Sequence, residues 1–545
     1  MSDHTPETAA PPRRGALALG ATAALSGLVL FLSFPPADLG PLGFFAFVPL
    51  LVVIRGARTT AACAAYGAVA AACAYVPAFA WVAPVTIAGW PALALYVGLY
   101  LIVGVVLIRY LSRRFPALWP VMAACLWTGL ELFRARLGPG FPWLFLGYTQ
   151  YRFGALLQIA AWAGVYGLSF LVFWCNAGIA SLVRSLLQGE RVRWLHPALP
   201  LLAVALCAMV GQRVRGGLVT ERGPVVGAVQ QNVARRRSEI FGRARSAEET
   251  YAALEDEMAR ALDLTLGLAG RAPAMVVWPE TTVPVALNVA PGALRPGPRR
   301  LLGIAFDHLQ KAVSTLDCPL LVGAPMLTQR PARADEIGVY GPTVTGYANS
   351  AVFVSSEGKI QGRYDKVHLV PFGEYVPWVD ALPFLQAFTP FTRNLTAGKE
   401  MTLFSLPDGE RGAVPFSALI CYEDVFPSLV RDFRLKGARF FVNVTDEGWY
   451  SIPGELGQHL AMAVFRAVET RTTVVRAANT GITCFIGPRG EVYRRLPQGT
   501  KGALAAPVRL CDARTLYMRL GDAFAIVCLM LAIALPGLLA ALRRR

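Results

Sequence analysis

Three strand ends in this chain each lead into a side chain able to take part in acyl transfer: a carboxylate at Glu280, an ammonium at Lys366 and a thiol at Cys421. Glu280 comes after Val-Val-Trp-Pro, so a strand followed by a Trp-Pro step would aim its carboxylate from rigid backbone. Cys421 closes an apolar strand, where a sharp turn into a helix would expose a nucleophile. A free thiol ionises near pH ~8.5, and a neighbouring ammonium such as Lys366 would lower that value. Glu280 could then take the thiol proton and hand it to a leaving group. Lys366 and the backbone N–H of Tyr422 could hold the oxyanion of a tetrahedral intermediate. Taken singly, a glutamate or lysine after a strand is usually a solvated loop residue, and a buried cysteine is usually inert. The three together, in this order and setting, favour chemistry.

Such a trio needs a rigid frame, and the segment between Pro224 and Leu510 supplies one. Short β-branched runs at 224–230, 274–279, 320–324, 349–354, 417–422, 440–444 and 473–478 read as largely buried strands. Residues 246–266 read as an amphipathic helix, as do 459–470, with Ala461, Val464, Phe465 and Val468 on one face. An α/β sandwich accounts for this alternation. His308, His368 and His459 are far apart in sequence, and no metal-ligand spacing appears; His368 reads as a support for the Lys366 loop.

Outside that segment the chain changes character. Of 545 residues, 55% are hydrophobic and only 16% charged, with nearly all acidic residues between Glu221 and Asp522. This is the composition of an integral membrane protein with one polar part. The net charge of +17, from 52 basic and 35 acidic residues, comes without zinc-finger spacing, an RNA-binding aromatic motif or a basic helix, which excludes nucleic acid as a partner. Much of the excess reads as arginine beside membrane spans. About eight spans are expected, at 14–34, 39–54, 59–80, 91–111, 118–133, 155–183, 196–212 and 523–542. Arg13 and Arg14, then Arg55 and Arg58, then Arg109, Arg113 and Arg114, then Arg184, Arg191 and Arg193, and finally Arg543, Arg544 and Arg545 fall on alternate sides; Arg134, Arg136 and Arg152 depart from the pattern. Seven spans before the polar part would set it outside the bacterial cytoplasmic membrane, on the periplasmic side. The Gly-, Pro- and aromatic-rich connection 136–150 reads equally as a re-entrant segment or a plain loop with an aromatic belt. Six of the ten cysteines lie in apolar runs; Cys318, Cys421, Cys484 and Cys511 lie in the polar part, and spacing does not decide their pairing.

Glu, Lys and Cys in this chain order resemble the nitrilase (carbon–nitrogen hydrolase) superfamily. With the membrane segments included, nearly the whole chain resembles the apolipoprotein N-acyltransferase family. The resemblance is carried by Phe-Pro-Pro at 34–36, Gly-Phe-Pro-Trp-Leu at 140–144, Gly-Val-Tyr-Gly-Leu-Ser-Phe at 164–170, Val-Gln-Gln-Asn at 229–232 and Ala-Asn-Thr-Gly-Ile-Thr at 478–483. Its most specific segment is Lys-Val-His-Leu-Val-Pro-Phe-Gly-Glu-Tyr-Val-Pro at 366–377. It implies a polytopic helical bundle carrying an inserted nitrilase-like αββα sandwich, divided into membrane helices at 1–213, a catalytic part at 214–521 and a last helix with a basic tail at 522–545. It also implies that Glu280 is the base, Lys366 the electrostatic stabiliser and Cys421 the acylated nucleophile. Glu374 would assist, Tyr422 and Glu423 would support the nucleophile loop, and Phe241, Asn349 and Trp449 would line or support the pocket; an ion pair holding loops is the alternative for Glu374 and Glu423. The implied substrates are a phospholipid acyl donor and a diacylated apolipoprotein acceptor, handled by a monomer without cofactor or metal. Two segments depart from the family pattern: 235–241 has Phe241 where a tryptophan is usual, and 443–449 reads Asn-Val-Thr-Asp-Glu-Gly-Trp. A loop at 382–392 with Phe384, Phe388 and Phe391 is expected either to dip toward lipid and gate acyl-chain entry or to pack in the core. A membrane-bound amidase with water as acceptor and a non-catalytic lipoprotein-binding protein remain as alternatives.

Overall fold

The computed structural model describes residues 13–233, 246–331, 343–379, 381–388, 394–409, 411–450 and 453–542. The membrane part comprises α1 (Arg13–Leu32), α2 (Val48–Gly56), α3 (Thr60–Ala78), α4 (Gly89–Arg114), α5 (Trp119–Arg136), α6 (Gly154–Leu157), α7 (Ala160–Gln188) and α8 (Leu195–Gly217). Five helices, the first at Gly15–Leu32 and the others α3, α4, α7 and α8, are long and apolar enough to cross a membrane. Among the described residues that is fewer than the eight spans expected; the eighth run is an apolar helix, Ala523–Leu542, and the runs at 39–54 and 118–133 differ for local reasons. The run at 39–54 is split into a 3-10 turn at Gly40–Phe44 and the short α2, each with a proline in its first turn. Helix α5 carries Glu131, Arg134 and Arg136 and lies mostly buried between α4, α7 and the last helix, so it faces protein more than lipid. The run at 155–183 bends at Gly164, whose φ of 61° lies in the left-handed region; a Cβ there would meet the Tyr517 ring at 2.7 Å.

The three arginines that break the charge alternation are each engaged by protein. Arg134 lies over the Phe145 ring, Arg136 pairs with Asp522 and Arg152 with Asp38.

Beyond α8 the chain builds two six-stranded sheets. One joins β1 (Glu221–Gln230), β2 (Met275–Val277), β3 (Leu320–Pro331), β4 (Thr343–Val354) and β5 (Ile360–Asp365) in sequence, with β12 (Gly502–Leu510) beside β1. The other runs in order from β6 (Phe404–Asp408) through β7 (Gly412–Ile420), β8 (Phe440–Thr445), β9 (Thr473–Ala478) and β10 (Cys484–Ile486) to β11 (Val492–Arg495). The central pairs β1–β2, β2–β3, β7–β8 and β8–β9 are parallel, which requires crossovers through helices and explains their continuous apolar runs. Phe353 on β4 meets Phe404 and Phe416 of the other sheet at 5.5 and 5.7 Å between ring centres, so the sheets pack face to face. Helices α9 (Ala247–Leu266) and α10 (Pro296–Leu316) cover the outer face of the first sheet. Helices α11 (Pro427–Lys436) and α12 (Pro453–Thr470) cover the second, and α13 (Leu516–Leu520) and α14 (Ala523–Leu542) return to the membrane part. This is an αββα sandwich. Helix α9 starts where Ser246 and Glu249 form a reciprocal capping box. On α12, Ala461, Val464, Phe465 and Val468 are all buried, as their spacing predicts.

The connection 136–150 is neither a lipid-facing belt nor a free loop. Trp143 and Phe145 are buried, and Tyr148 packs edge-on against Phe465 of α12 at 5.1 Å. Its aromatic residues therefore form the joint between the membrane helices and the sandwich.

Candidate active site

Strand β7 runs straight into Cys421, which opens a 3-10 turn at Cys421–Val425 with a φ of 51°. A side chain other than glycine at this φ costs on the order of 1–3 kcal/mol and persists only where neighbours over-determine it. Here Glu423 does so. One oxygen of its fully buried carboxylate accepts from the Ile420 N–H at 2.8 Å. The other accepts from the Tyr364 hydroxyl at 2.7 Å and from the Val367 and His368 N–H groups at 2.8 and 3.1 Å. Glu423 thus ties the nucleophile turn to the backbone just after Lys366. Burial raises its carboxyl to about 7 despite these donors. The Asn443 amide donates to the Cys421 carbonyl at 3.1 Å from the neighbouring strand β8.

Glu280 follows β2 and sits against β3 at Gly323, where a Cβ would meet the Pro279 oxygen at 2.4 Å and the Glu280 Cα at 2.6 Å. Only glycine permits that approach. Its carboxylate accepts from Asn349 Nδ2 at 2.6 Å and from the Asp446 N–H at 2.8 Å, and Lys366 Nζ lies 3.8 Å away. Lys366, 1% exposed, donates to Glu374 Oε1 at 2.9 Å, and Glu374 also accepts from Asn349 and from the Val370 N–H. Asn349 therefore bridges the two carboxylates from β4, the strand beside Lys366.

Electrostatics bind the three groups. Burial raises Glu280; the Lys366 ammonium lowers it and Glu374 adds to the rise. Burial alone would depress Lys366, but the carboxylates of Glu374 and Glu280 outweigh this and hold it above the usual lysine range. Cys421 is pushed well up, by burial first and the Glu280 charge second, with Lys366 opposing. The Lys366 ammonium lowers the thiol, as expected, but desolvation and the Glu280 charge outweigh it. Burial thus favours the neutral form of the thiol, and Glu280 is the carboxylate whose charge acts on it most strongly.

Tyr422 turns away from these groups. Its ring stacks on Trp143 at 6.2 Å and Phe141 at 6.4 Å, side chains of the connection from the membrane part. His368 packs against Phe426 at 3.7 Å, and burial lowers its imidazole to about 4, so it supports the loop as a neutral ring. Trp449 ends a 3-10 turn at Glu447–Trp449 and is 43% exposed, at the rim rather than in a closed wall. Phe241 lies outside the described residues, as do Phe391 and the side chain of Phe388. Phe384 is 63% exposed and so is not packed in a core. The ten cysteines are all free thiols.

Some residues that shape the site carry no sequence signal. Asp446 contributes its backbone N–H, and Asp424, Glu447, His459 and Arg476 form a buried ionic cluster beneath the turn. The placement of Asp424 three residues after Cys421 and of Asp446 and Glu447 within the divergent segment 443–449 were the available hints.

Two family descriptions match the chain: the apolipoprotein N-acyltransferase N-terminal domain over residues 26–178 and carbon-nitrogen hydrolase over residues 226–517. An apolipoprotein N-acyltransferase of Geobacter metallireducens is 33% identical over 99% of this chain and 98% of its own length. One from Chlorobaculum tepidum is 28% identical over 96% of each. Among solved structures, an amidase from Nesterenkonia sp. is similar at 16% identity, with a TM-score of 0.35, over 57% of this chain and 98% of its own.

Proposed function

The chain belongs to the apolipoprotein N-acyltransferase family, and on that premise we propose that it moves a fatty acyl chain from a membrane phospholipid to the α-amine of a lipoprotein's N-terminal diacylglyceryl-cysteine, through a thioester on Cys421. The observation that carries this reading is the set of buried Glu280 and Lys366 with half-buried Cys421, joined through Tyr422 to aromatic residues of the membrane connection.

In the first half-reaction Glu280 takes the Cys421 proton as sulfur attacks the acyl ester carbonyl. Lys366 and the Tyr422 N–H hold the oxyanion. The carbon–oxygen bond then breaks, Glu280 returns the proton to the departing alkoxide, and a lysophospholipid leaves. In the second, the acceptor amine attacks the thioester and Glu280 takes the amine proton. The carbon–sulfur bond breaks, the amide forms and the thiolate regains the proton. Each step balances without a cofactor. Glu374 keeps Lys366 charged and in place, and Asn349 holds Glu280 and Glu374 apart.

The arginine pattern supports a multi-pass place in the bacterial cytoplasmic membrane, with membrane helices at 1–213, a catalytic part at 214–521 on the periplasmic side, and a closing helix from 522. The exposed Phe384 suits a loop that touches lipid near acyl-chain entry.

Peptide mass spectrometry after incubation with phospholipid, beside Cys421→Ser, tests the reading. A hydroxylamine-labile acyl adduct on Cys421 that a diacylglyceryl-cysteine peptide discharges is the expected result. An adduct that water removes as fast would replace the transferase with a hydrolase, and no adduct with any donor would leave a binding role.

A further inference from the structure

Gln458 and His459 are neighbours on α12, yet their side chains serve opposite halves of the molecule. The Gln458 carbonyl accepts from the indole N–H of Trp143 at 2.7 Å and of Trp81 at 3.2 Å. Its amide donates to the Pro35 and Ala78 carbonyls at 3.0 and 3.2 Å. All four partners belong to the membrane part, and Gln458 itself is 3% exposed. A buried amide with every donor and acceptor taken is a strong geometric constraint. The fit beside it is close: a Cβ on Gly457 would stand 2.5 Å from the Pro35 ring.

His459 reaches the other way. Its Nε2 lies 2.6 Å from Asp424 Oδ1 and its Nδ1 2.7 Å from Glu447 Oε1. Arg476 donates to the same two carboxylates at 2.7 and 2.6 Å. Asp424 belongs to the Cys421 turn, and Glu447 follows Asp446, whose N–H holds the Glu280 carboxylate. One imidazole therefore grips the nucleophile turn with one nitrogen and the base anchor with the other. Glu455 also faces it at 3.6 Å, its carboxyl pushed well up by burial and by the Glu447 charge. His459 and Arg476 thus face Asp424 and Glu447 as two basic groups against two carboxylates. A metal ion among Glu447, Glu455 and His459 is disfavoured because Arg476 already supplies the cation there. The two branches meet at Trp143, whose ring lies 5.7 Å from His459 and stacks on Tyr422.

We propose that Gln458 and His459 are positioning residues: Gln458 fixes the sandwich in register with the membrane segments, and His459 fixes the Cys421 turn and the Glu280 anchor to each other. This rests on Cys421 being the acylated nucleophile.

The test uses full-length protein in detergent, with Gln458→Leu, Trp81→Phe and His459→Gln. Two reactions of one thiol are followed by peptide mass spectrometry. Alkylation by iodoacetamide needs only the local site, whereas acylation by phosphatidylethanolamine in mixed micelles needs the site in register with lipid. In Gln458→Leu, alkylation stays within about twofold of the parent while acylation falls at least about tenfold, since small misplacements of reacting groups are costly. Trp81→Phe removes one of the two indole donors with little change of shape, and shows the same split at about fivefold. It keeps the test open where Gln458→Leu does not fold. His459→Gln slows both reactions and shifts the pH profile of alkylation. Equal loss of both reactions in the Gln458 and Trp81 variants, or unchanged acylation in either, overturns the role of Gln458. Unchanged rates and pH profile in His459→Gln overturn that of His459. A parent protein that is alkylated but never acylated refutes the Cys421 reading itself, before any variant is compared.

Discussion

Burial and the neighbouring Glu280 carboxylate push the Cys421 thiol well above its usual range, and the Lys366 ammonium pulls back only part of that. Glu280 is itself raised, chiefly by burial. With Glu280 as the proposed base, which must be ionised to accept a proton, the acidic limb of the rate profile is expected to follow Glu280 and not the thiol. Acylation of Cys421 is therefore expected to rise with pH along a limb above the ordinary glutamate value of about 4.3. Glu280→Gln is expected to abolish that limb and lower kcat/KM by about 10²- to 10⁴-fold, the usual contribution of a positioned base. Measuring kcat/KM from pH 4 to 9 in parent and variant checks this; an unchanged limb in Glu280→Gln would assign the titration to another group. The three residue types and their order were legible in the sequence because Glu280 and Cys421 each follow an apolar strand and Lys366 opens the segment 366–377 that carries the resemblance. The direction of the thiol shift was not legible, because it is set by how completely the fold excludes water around Cys421.

Two elements meet at Gly323, where strand β3 runs against the backbone of Glu280. Gly323→Ala is expected to force a shift costing about 1–3 kcal/mol in stability and, by moving the base, to slow acylation by about tenfold or more. Thermal unfolding and kcat/KM on the same preparation test both parts; a variant with lower stability and unaltered kcat/KM would show that the contact does not aim Glu280. Helix α12 offers a second test through His459. Burial would lower this imidazole, but Asp424 and Glu447 outweigh that and raise it from 6.5 to about 10. A raised histidine contributes stability that is fully present below the unfolded value, and this is lost as pH rises through the folded one. The unfolding midpoint should thus fall between pH 6.5 and 10, and His459→Gln should flatten that fall; equal slopes in both proteins would refute the charge assignment. The strands, α9 and the apolar face of α12 could be read from periodicity because burial sets that pattern. The ionic cluster under the Cys421 turn could not, since Asp424, Glu447, His459 and Arg476 come from four separate elements that only the tertiary fold joins. Likewise, the run at 118–133 read as a span from its apolar content, while its packing against α4, α7 and α14 was not legible there.

Across the whole molecule, the same aromatic residues that end the membrane connection also back the nucleophile turn. Phe141 and Trp143 stack on Tyr422, the residue after Cys421, and Gln458 holds Trp143 to the membrane loops. The Cys421 turn is thereby fixed relative to the membrane helices. On the proposed reading, such a site would meet a phospholipid donor in two dimensions, where the relevant concentration is the mole fraction of phospholipid in the surface and most of the orientation is already set. Adding inert detergent at constant total phospholipid should then lower the acylation rate roughly in proportion to the falling surface fraction, while diluting the whole micellar solution should change it little. Gln458→Leu, which frees Trp143, should weaken that dependence by lowering the rate at every surface fraction without altering iodoacetamide alkylation. Mixed micelles of phosphatidylethanolamine and a nonionic detergent allow both dilutions with one enzyme stock. A rate that followed bulk phospholipid and ignored surface fraction would mean that the donor reaches Cys421 through water, and the joint built from Phe141, Trp143 and Gln458 would then be a fastening alone.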